Sequence, residues 1–142
     1  MVVNNAAVWG SGVTEAYSVK QQQRMFDVNY FGVVRIYNAV LPFMRKQKFG
    51  LFINLTTGAS GFTTQYVVPY FASKLAIESL TEGLNEELRP FNIDNVTIQP
   101  GAYDTGMNLK EGIQPDRPEV IAEYGDKASV PMTKMIEGLI GS

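Results

Sequence analysis

Short apolar runs alternate with longer amphipathic stretches along this chain. Val2-Val3 is typical of the end of a strand, and residues 51–55 and 95–98 predict two further buried strands. From residue 18 to about 46, apolar residues recur at three- and four-residue steps and predict a long helix with the stripe Met25, Val28, Phe31, Gly32, Ile36, Ala39, Val40 and Phe43. A second long helix is predicted from about 70 to 89, with one side formed by Ala72, Leu75, Ala76, Leu80, Gly83, Leu84 and Leu88. Pro42 is expected to bend or end the first helix, and Pro90 to end the second.

The order strand–helix–strand–helix–strand favours an α/β fold with a parallel sheet and right-handed crossovers. Short helices are expected at residues 119–124 and 132–139. In parallel sheets of this kind, ligands bind beyond the carboxyl ends of the strands. The segments that follow the three strands are small and polar: Asn4-Asn5-Ala6-Ala7, Thr56-Thr57-Gly58 and Pro100-Gly101. We therefore expect a binding site at this edge of the sheet.

Composition narrows the possible chemistry. The 142 residues are 45% hydrophobic and 18% charged, with a formal net charge of −2, as expected for one globular domain without a nucleic-acid-binding surface. The chain contains no Cys and no His. This excludes disulfides, thiol nucleophiles, Ser-His-Asp triads and metal sites built on His or Cys. We predict no metal site, so any reaction must use Tyr, Lys, Ser, Thr, Asn, Asp or Glu.

Nothing in the sequence indicates export or insertion into a membrane. Met1 is followed by neither a basic segment nor a long apolar one. The most apolar stretch, residues 28–44, contains Asn29, Arg35 and Asn38 and is therefore unsuited to span a bilayer. We expect a cytoplasmic protein.

Tyr70 and Lys74 lie four residues apart at the start of the second predicted helix. Residues at this spacing share one helical face, with their β-carbons about 5–6 Å apart. An ammonium group beside a phenol stabilises the phenolate, by roughly 3 kcal/mol at an effective dielectric of about 20, which would lower the phenol pKa from about 10 towards 8. Such a pair suits a general acid or base, although a Tyr and a Lys at this spacing more often form a solvated surface pair.

Two further polar residues are candidates for the same site. Thr57 lies thirteen residues before Tyr70, at the end of a predicted strand, where its hydroxyl could donate to a substrate carbonyl oxygen. Asn29 lies within an otherwise apolar helical run and is costly there unless it is hydrogen-bonded. A satisfied core amide is the alternative interpretation of Asn29.

These residues belong to a series of motifs spread along the chain. In order, the motifs are Asn4-Asn5-Ala6, Asn29, Ile53-Asn54-Leu55-Thr56-Thr57, Tyr70-x-Ala72-Ser73-Lys74 and Pro100-Gly101-x-x-x-Thr105. The series resembles the short-chain dehydrogenase/reductase family from Val2 to about Asn108. The resemblance implies a Rossmann-type fold, in which a doubly wound parallel sheet lies between two helical layers. It also implies a carbonyl or secondary alcohol as substrate, with the hydride carried by NAD(H) or NADP(H).

The same resemblance implies a role for each matching residue. Tyr70 is the catalytic acid/base that exchanges a proton with the substrate oxygen, and Lys74 lowers its pKa and binds the nicotinamide ribose. Thr57 takes the position of a substrate-orienting serine, and Asn29 that of an asparagine that holds a water in the proton relay. Asn5 lines the cofactor groove. The residues that approach the nicotinamide and its phosphates are Pro100, Gly101, Tyr103 and Thr105.

The chain departs from the family pattern in several places. Thr57 replaces the usual serine, and Ser60 is an alternative hydroxyl at a less suitable spacing. Ala7 replaces a usual glycine. Gly10 and Gly12 are present, but the strand and glycine-rich turn of the dinucleotide fingerprint do not precede them. We therefore expect residues 1–142 to be one partial Rossmann-like domain, the catalytic portion without its N-terminal cofactor half and shortened at the C-terminal end. Alone, it is expected to be marginally stable and weakly active or inactive.

Two other functions are considered for the chain. The two long helices could pack against a second subunit, as the resemblance implies for full-length members, and the chain would then be a non-catalytic interaction module. A glycine-loop phosphate-binding protein is disfavoured, because no Lys of the Walker type follows a glycine loop. The segments expected to select the substrate are residues 62–68 and 107 to about 130.

Overall fold

The computed structural model describes residues 1–58, 63–101 and 112–128. Within these ranges three strands form one parallel sheet in the order β1-β2-β3, with β1 at Val2–Asn4, β2 at Gly50–Leu55 and β3 at Ile93–Ile98. The register pairs Asn4 with Asn54, and Asn54 with Thr97. The predicted parallel α/β arrangement is confirmed, and the second and third strands each begin slightly earlier than expected.

The first long helical stretch consists of three segments in succession. Helix α1 spans Val19–Phe26, a π-helical turn spans Asp27–Phe31, and α2 spans Gly32–Gln47. The Ser18 hydroxyl caps the start of α1 by accepting a hydrogen bond from the Gln21 N–H. Pro42 lies inside α2 and does not end it. Pro42 and Asn38 are both exposed, so water can hydrate the carbonyl that loses its helical partner.

The second long helix, α3, spans Val68–Leu88 and is followed by a 3-10 turn at Arg89–Phe91. Pro69 lies in its first turn, where its missing N–H costs no helical hydrogen bond. The helix ends just before Pro90, as predicted. Asn92 then takes a left-handed conformation and leads into β3.

The buried faces of these helices differ from the predicted apolar stripes. On the first stretch the predicted stripe includes Phe31, Ile36 and Phe43, which are 48%, 40% and 72% exposed. Met25, which belongs to the predicted stripe, is buried, and the other buried side chains there are Asn29, Val33, Tyr37 and Met44. On α3 the predicted side was Ala72, Leu75, Ala76, Leu80, Gly83, Leu84 and Leu88, whereas the buried residues are Pro69, Phe71, Ser73, Lys74, Ile77, Thr81 and Leu88. The polar residues Ser73, Lys74 and Thr81 of α3 are buried because each forms hydrogen bonds with the sheet or with the preceding helical stretch, as described below.

The main hydrophobic core lies between the sheet and the helices α2 and α3. Its central residues are Phe52 from β2, Ile93 from β3, Tyr37 from α2 and Ile77 from α3. This packing fixes the two helices against one face of the sheet. No helix in the described part of the chain is long and apolar enough to cross a bilayer.

Residues 112–128 fold back over the loop that follows β1. This segment contains α4 (Pro118–Tyr124), close to the predicted bounds, and a 3-10 turn at Gly125–Ala128. The Ile113 N–H donates to the Trp9 carbonyl at 2.7 Å, and the Tyr17 hydroxyl donates to the Ile113 carbonyl at 2.9 Å. Asp116 accepts from both the N–H and the hydroxyl of Ser18. The helix expected at residues 132–139 lies outside the described residues.

Candidate active site

The carboxyl ends of β2 and β3 meet closely at one edge of the sheet. The Thr56 N–H donates to the Ile98 carbonyl at 2.9 Å, and the Gly58 N–H donates to the Pro100 carbonyl at 2.7 Å. A β-carbon at Gly58 would lie only 2.8 Å from the Pro100 carbonyl oxygen. A side chain at position 58 would therefore push the two strand ends apart. The expected meeting of small and polar segments at this edge is confirmed.

Lys74 is anchored to this edge from the first turns of α3. Lys74 is only 3% exposed, and its ammonium group donates to the Leu55 carbonyl at 2.9 Å. Leu55 is the last residue of β2. Burial lowers the pKa of Lys74 to about 8. An ammonium group has three N–H donors, and one is used by Leu55 within the described ranges.

Tyr70 lies one turn before Lys74 and is half-buried. The Lys74 ammonium nitrogen is 5.9 Å from the centroid of the Tyr70 ring, and the Tyr70 hydroxyl has no hydrogen-bond partner among the described residues. Burial raises the pKa of Tyr70. The predicted lowering of this pKa is therefore wrong for the chain in this state. Desolvation by burial is the cause of this rise, and the Lys74 ammonium, held by the Leu55 carbonyl, does not offset it.

Asn29 is fully buried, and all of its amide N–H donors are used. Its Oδ1 accepts from the Val8 N–H at 2.8 Å, while its Nδ2 donates to the Val8 carbonyl at 2.8 Å and to the Ser73 hydroxyl at 2.9 Å. The interpretation of Asn29 as a satisfied core amide is thus confirmed. The residue lies in the π-helical turn, a distortion that is frequent at functional sites. Its side chain clamps the loop after β1 onto α3.

Ser73 connects Asn29 to the helix that carries Tyr70. Its hydroxyl accepts from Asn29 and donates to the Tyr70 carbonyl at 2.7 Å. Ser73 lies within the motif that contains Tyr70 and Lys74, but no role was predicted for it. A signal was available, because the hydroxyl stands directly before Lys74 and three residues after Tyr70. The sequence also gave no sign of the π-helical turn.

The remaining predicted residues lie at the same edge or outside the described ranges. Thr57 is half-buried, two residues beyond Leu55, and Asn5 is exposed after the end of β1. Pro100 is half-buried and Gly101 is exposed, with open space where a β-carbon would point. Ser60, Tyr103 and Thr105 lie outside the described residues. Hydrogen bonds therefore connect Asn29, through Ser73, to the helix that carries Tyr70 and Lys74, while the others are neighbours along the strand ends.

This arrangement suits a ligand with hydroxyl groups rather than a metal ion. Within the described ranges Lys74 has two N–H donors that could donate to such a ligand. Asn5 is exposed nearby along the strand ends, and open space lies where a β-carbon of Gly101 would point. Among the described residues, no group of His, Cys, Asp or Glu side chains is placed to hold a metal ion.

Comparison with known proteins identifies the family. The family model described as short chain dehydrogenase matches residues 1–115. The chain belongs to this family of oxidoreductases. A 3-ketodihydrosphingosine reductase from Bacteroides thetaiotaomicron is 36% identical to it over 113 residues, which cover 80% of this chain and 42% of the relative.

Solved structures of short-chain dehydrogenases share the fold. A gluconate 5-dehydrogenase from Burkholderia cenocepacia, in complex with NADP and tartrate, is 27% identical with a TM-score of 0.72, over 75% of this chain and 42% of that one. A xylitol dehydrogenase bound to NAD+ is 30% identical with a TM-score of 0.66, over 70% and 38% of the two chains. The Rossmann-type α/β fold is thereby confirmed. The chain spans less than half the length of these three proteins.

Proposed function

We propose that this chain forms the catalytic part of an oxidoreductase that interconverts a carbonyl and a secondary alcohol by hydride transfer to or from NAD(H) or NADP(H). The observation that carries this proposal is the buried ammonium group of Lys74, held by the Leu55 carbonyl one helical turn from Tyr70. Family membership supports the assignment, because both residues belong to the part of the chain that the family model matches.

The cofactor assignment is supported by the donors at the strand edge. The bound nicotinamide supplies or accepts the hydride. Lys74 has two N–H groups without a partner within the described ranges, and we assign them to the hydroxyls of the nicotinamide ribose. The exposed Asn5, which follows β1, is proposed to line the cofactor groove. Pro100, Gly101, Tyr103 and Thr105 are proposed to flank the nicotinamide and its phosphates. The related structures that hold NADP and NAD+ support a nicotinamide dinucleotide of either kind.

Tyr70 is proposed as the group that exchanges a proton with the substrate oxygen. Burial raises its pKa, so the hydroxyl is protonated at neutral pH and is ready to donate to a developing alkoxide during carbonyl reduction. In the oxidation direction the hydroxyl must first lose this proton to solvent, and the resulting phenolate, stabilised by the Lys74 ammonium, then accepts the proton of the substrate alcohol. The ammonium is largely charged at neutral pH, because its pKa of about 8 lies above that range.

Thr57 and Asn29 are proposed to support this proton transfer. Thr57 is placed to orient the substrate oxygen with its hydroxyl, which has no partner among the described residues. Asn29 has no free N–H on its side chain, so a relay water would have to be held by an oxygen of this residue. We therefore assign to the Asn29 amide mainly the positioning of Val8 and Ser73.

The proposed catalytic unit is one partial Rossmann-like domain of a longer protein, in agreement with the length of its relatives. Turnover by these residues alone is proposed to be weak or absent. A homo-oligomer formed through the long helices is proposed for the full-length protein, because Phe31, Ile36 and Phe43 expose an apolar stripe on the outside of this helix pair. The same stripe supports the alternative function, a non-catalytic interaction module.

The variant Tyr70→Phe tests the proposed function and separates it from the alternative. In the natural polypeptide that carries these residues, consumption of NADH or NADPH is followed with a panel of ketones and aldehydes. We expect the variant to lose about 10²–10⁴-fold in kcat while its cofactor affinity and oligomeric state stay unchanged. Tyr30→Phe serves as the control, because this hydroxyl lies in the π-helical turn and is expected to be dispensable. Equal turnover in Tyr70→Phe and the parent protein would overturn the assignment.

A further inference from the structure

Four polar side chains are buried together beneath the candidate active site. They are Tyr37 from α2, Asn54 from β2, Thr81 from α3 and Asn95 from β3, and their residues are between 0% and 3% exposed. Burying polar groups is costly unless they are hydrogen-bonded, and apolar residues of similar size often stabilise a core equally well. A cluster of this kind therefore calls for a role besides stability.

Asn54 is the centre of the cluster. Its Nδ2 lies 2.7 Å from the Tyr37 hydroxyl, 2.9 Å from the Thr81 hydroxyl and 3.0 Å from Asn95 Oδ1, and its Oδ1 accepts from Asn4 Nδ2 at 2.8 Å. One side chain thus joins all three strands and both covering helices. The cluster is satisfied as a whole, since no buried side-chain polar atom of the described residues lacks a partner.

The bond between Asn54 and Thr81 lies next to the one that holds Lys74. Asn54 immediately precedes Leu55, whose carbonyl binds the Lys74 ammonium. Thr81 follows Lys74 by seven residues, which is two helical turns and the same face of α3. Helix α3 is therefore pinned to the end of β2 at two points, and two points fix both its rotation and its position along the strand.

We propose that Asn54 is a positioning residue for the reaction, which sets the register of α3 on β2 and thereby holds the Lys74 ammonium at the Leu55 carbonyl. The role of Asn54 in the reaction rests on the proposed function, whereas its effect on the position of α3 can be measured without turnover. Asn54 itself touches neither Lys74 nor Tyr70 in the hydrogen bonds described. It acts through Thr81 on one side and the β2 backbone on the other.

Removal of the Asn54 amide leaves no deeply buried group without a partner. In Asn54→Leu, the Tyr37 hydroxyl still donates to Asn95 Oδ1, at 2.5 Å, and the Thr81 hydroxyl still donates to the Ile77 carbonyl, at 2.7 Å. Asn95 Nδ2 still donates to the Thr81 carbonyl, so β3 keeps its own bond to α3. The variant is therefore expected to fold while losing the Asn54–Thr81 bond and the bond to the half-buried Asn4, and the bond between Lys74 and the Leu55 carbonyl is left without this support.

The test is a pH titration of Lys74 in the natural polypeptide that carries these residues, which needs neither cofactor nor turnover. The side chain is followed by NMR of 13Cε-labelled lysine, and its signal is assigned by its loss in Lys74→Arg. Tyr37→Phe is the matched control, because it removes another partner of the same amide but leaves the Asn54–Thr81 bond. Thr81→Val removes only the hydroxyl of that bond and gives an independent second variant.

We expect the parent chain and Tyr37→Phe to titrate at the same low pKa, near the value of about 8. In Asn54→Leu the pKa should rise by about one unit, because a loosened contact lets water reach the ammonium group, and Thr81→Val should shift it in the same direction by less. An unchanged or lower pKa in a folded Asn54→Leu would overturn the proposal. An ordinary lysine pKa in the parent chain would overturn it too. Failure of the proposed function would instead show as full turnover in Tyr70→Phe.

Discussion

The two faces of the sheet differ in a way that separates packing from chemistry. The face under α2 and α3 carries Phe52 and Ile93, together with Asn54 and Asn95, and all four are at most 2% exposed. The opposite face carries Val3, Val96 and Ile98, which are 50%, 41% and 46% exposed in the described part of the chain. On β3 the first pair follows the usual alternation, with Ile93 covered and Asp94 exposed, but from Asn95 onward it is reversed, with asparagine facing the helices and valine facing away.

This reversal shows what the covered face has to do besides bury surface. Towards the carboxyl ends of the strands, the covered face changes from apolar residues such as Phe52 to polar ones such as Asn54 and Thr56. The polar residues hold α3 in register and leave backbone carbonyls for Lys74. The outward face has no such role among the described residues, and on β3 it carries Asp94 beside the apolar Val96 and Ile98.

The largest contrast between the faces is expected from Phe52→Ala. Phe52 is fully buried at the centre of the covered face and packs against the Tyr37 ring at 4.4 Å between centroids. Truncation of a buried phenylalanine costs about 3–5 kcal/mol of unfolding free energy. Urea denaturation measures this loss, and we expect the variant to be largely unfolded in buffer. A loss below about 1 kcal/mol would show that this face is not the core.

A smaller but still large effect is expected from Asn29→Ala. The substitution leaves the N–H and carbonyl of Val8 without their partner and removes the donor to Ser73. Unsatisfied buried groups cost about 1–3 kcal/mol each, so we expect a loss of roughly 3 kcal/mol in urea denaturation. Asn38→Ala, on the exposed side of α2, is the control and should be nearly neutral. Equal stabilities for the two variants would show that the hydrogen bonds of Asn29 to Val8 and Ser73 do not stabilise the fold.

The pH dependence of stability should reveal the buried ammonium group. The pKa of Lys74 is about 8 in the folded chain, against 10.5 for an ordinary lysine, so the unfolded chain binds more protons between these values and stability rises with pH. The expected gain between pH 8 and 10 is about 2 kcal/mol. Above pH 10 the gain reverses, because burial raises the pKa of Tyr70, and that of Tyr17 to about 12, so their protonated forms are favoured by folding. In thermal melts of Lys74→Met, stability should not increase between pH 8 and 10. An increase that persists in this variant would show that another group causes it.

The smallest effects are expected on the outward face. Val96→Thr and Ile98→Thr keep the β-branched shape and place a hydroxyl where the side chain is already exposed. Each should change the unfolding free energy by no more than about 0.5 kcal/mol. Sedimentation at several concentrations serves as the companion measurement. A loss as large as that of Phe52→Ala would mean that this face is covered in solution.

Much of the fold follows from local sequence signals. The alternation of apolar strands and amphipathic helices, together with Pro90, predicted the strands and the end of α3 correctly. The buried faces were wrong because the rule that buried residues are apolar fails here. Ser73, Lys74 and Thr81 are buried in α3 since each finds a partner in the sheet or the neighbouring helix. Such partners lie far away in sequence, and helical spacing alone does not show them.

The position of the candidate residues at the strand ends was predictable from the sequence, but the direction of the Tyr70 pKa shift was not. Spacing placed Tyr70 and Lys74 on one face, and the strand ends brought Thr57 to the same edge. The direction of the Tyr70 pKa shift depends on a competition between burial and a nearby charge. Burial raises this pKa, while the Leu55 carbonyl holds the Lys74 ammonium 5.9 Å from the ring centroid. A backbone acceptor leaves no mark in the side-chain sequence.

The central claim is that Lys74, held at the end of β2, forms part of a nicotinamide cofactor site. The most direct test is a titration of the natural polypeptide that carries these residues, and of its Lys74→Met variant, with NADH and NADPH, followed by ligand fluorescence and by thermal melts. We predict saturable binding of at least one cofactor that raises the melting temperature of the parent chain, and its loss in a Lys74→Met variant that still melts cooperatively. A parent chain that melts cooperatively but binds neither cofactor, or equal binding by both proteins, would contradict it.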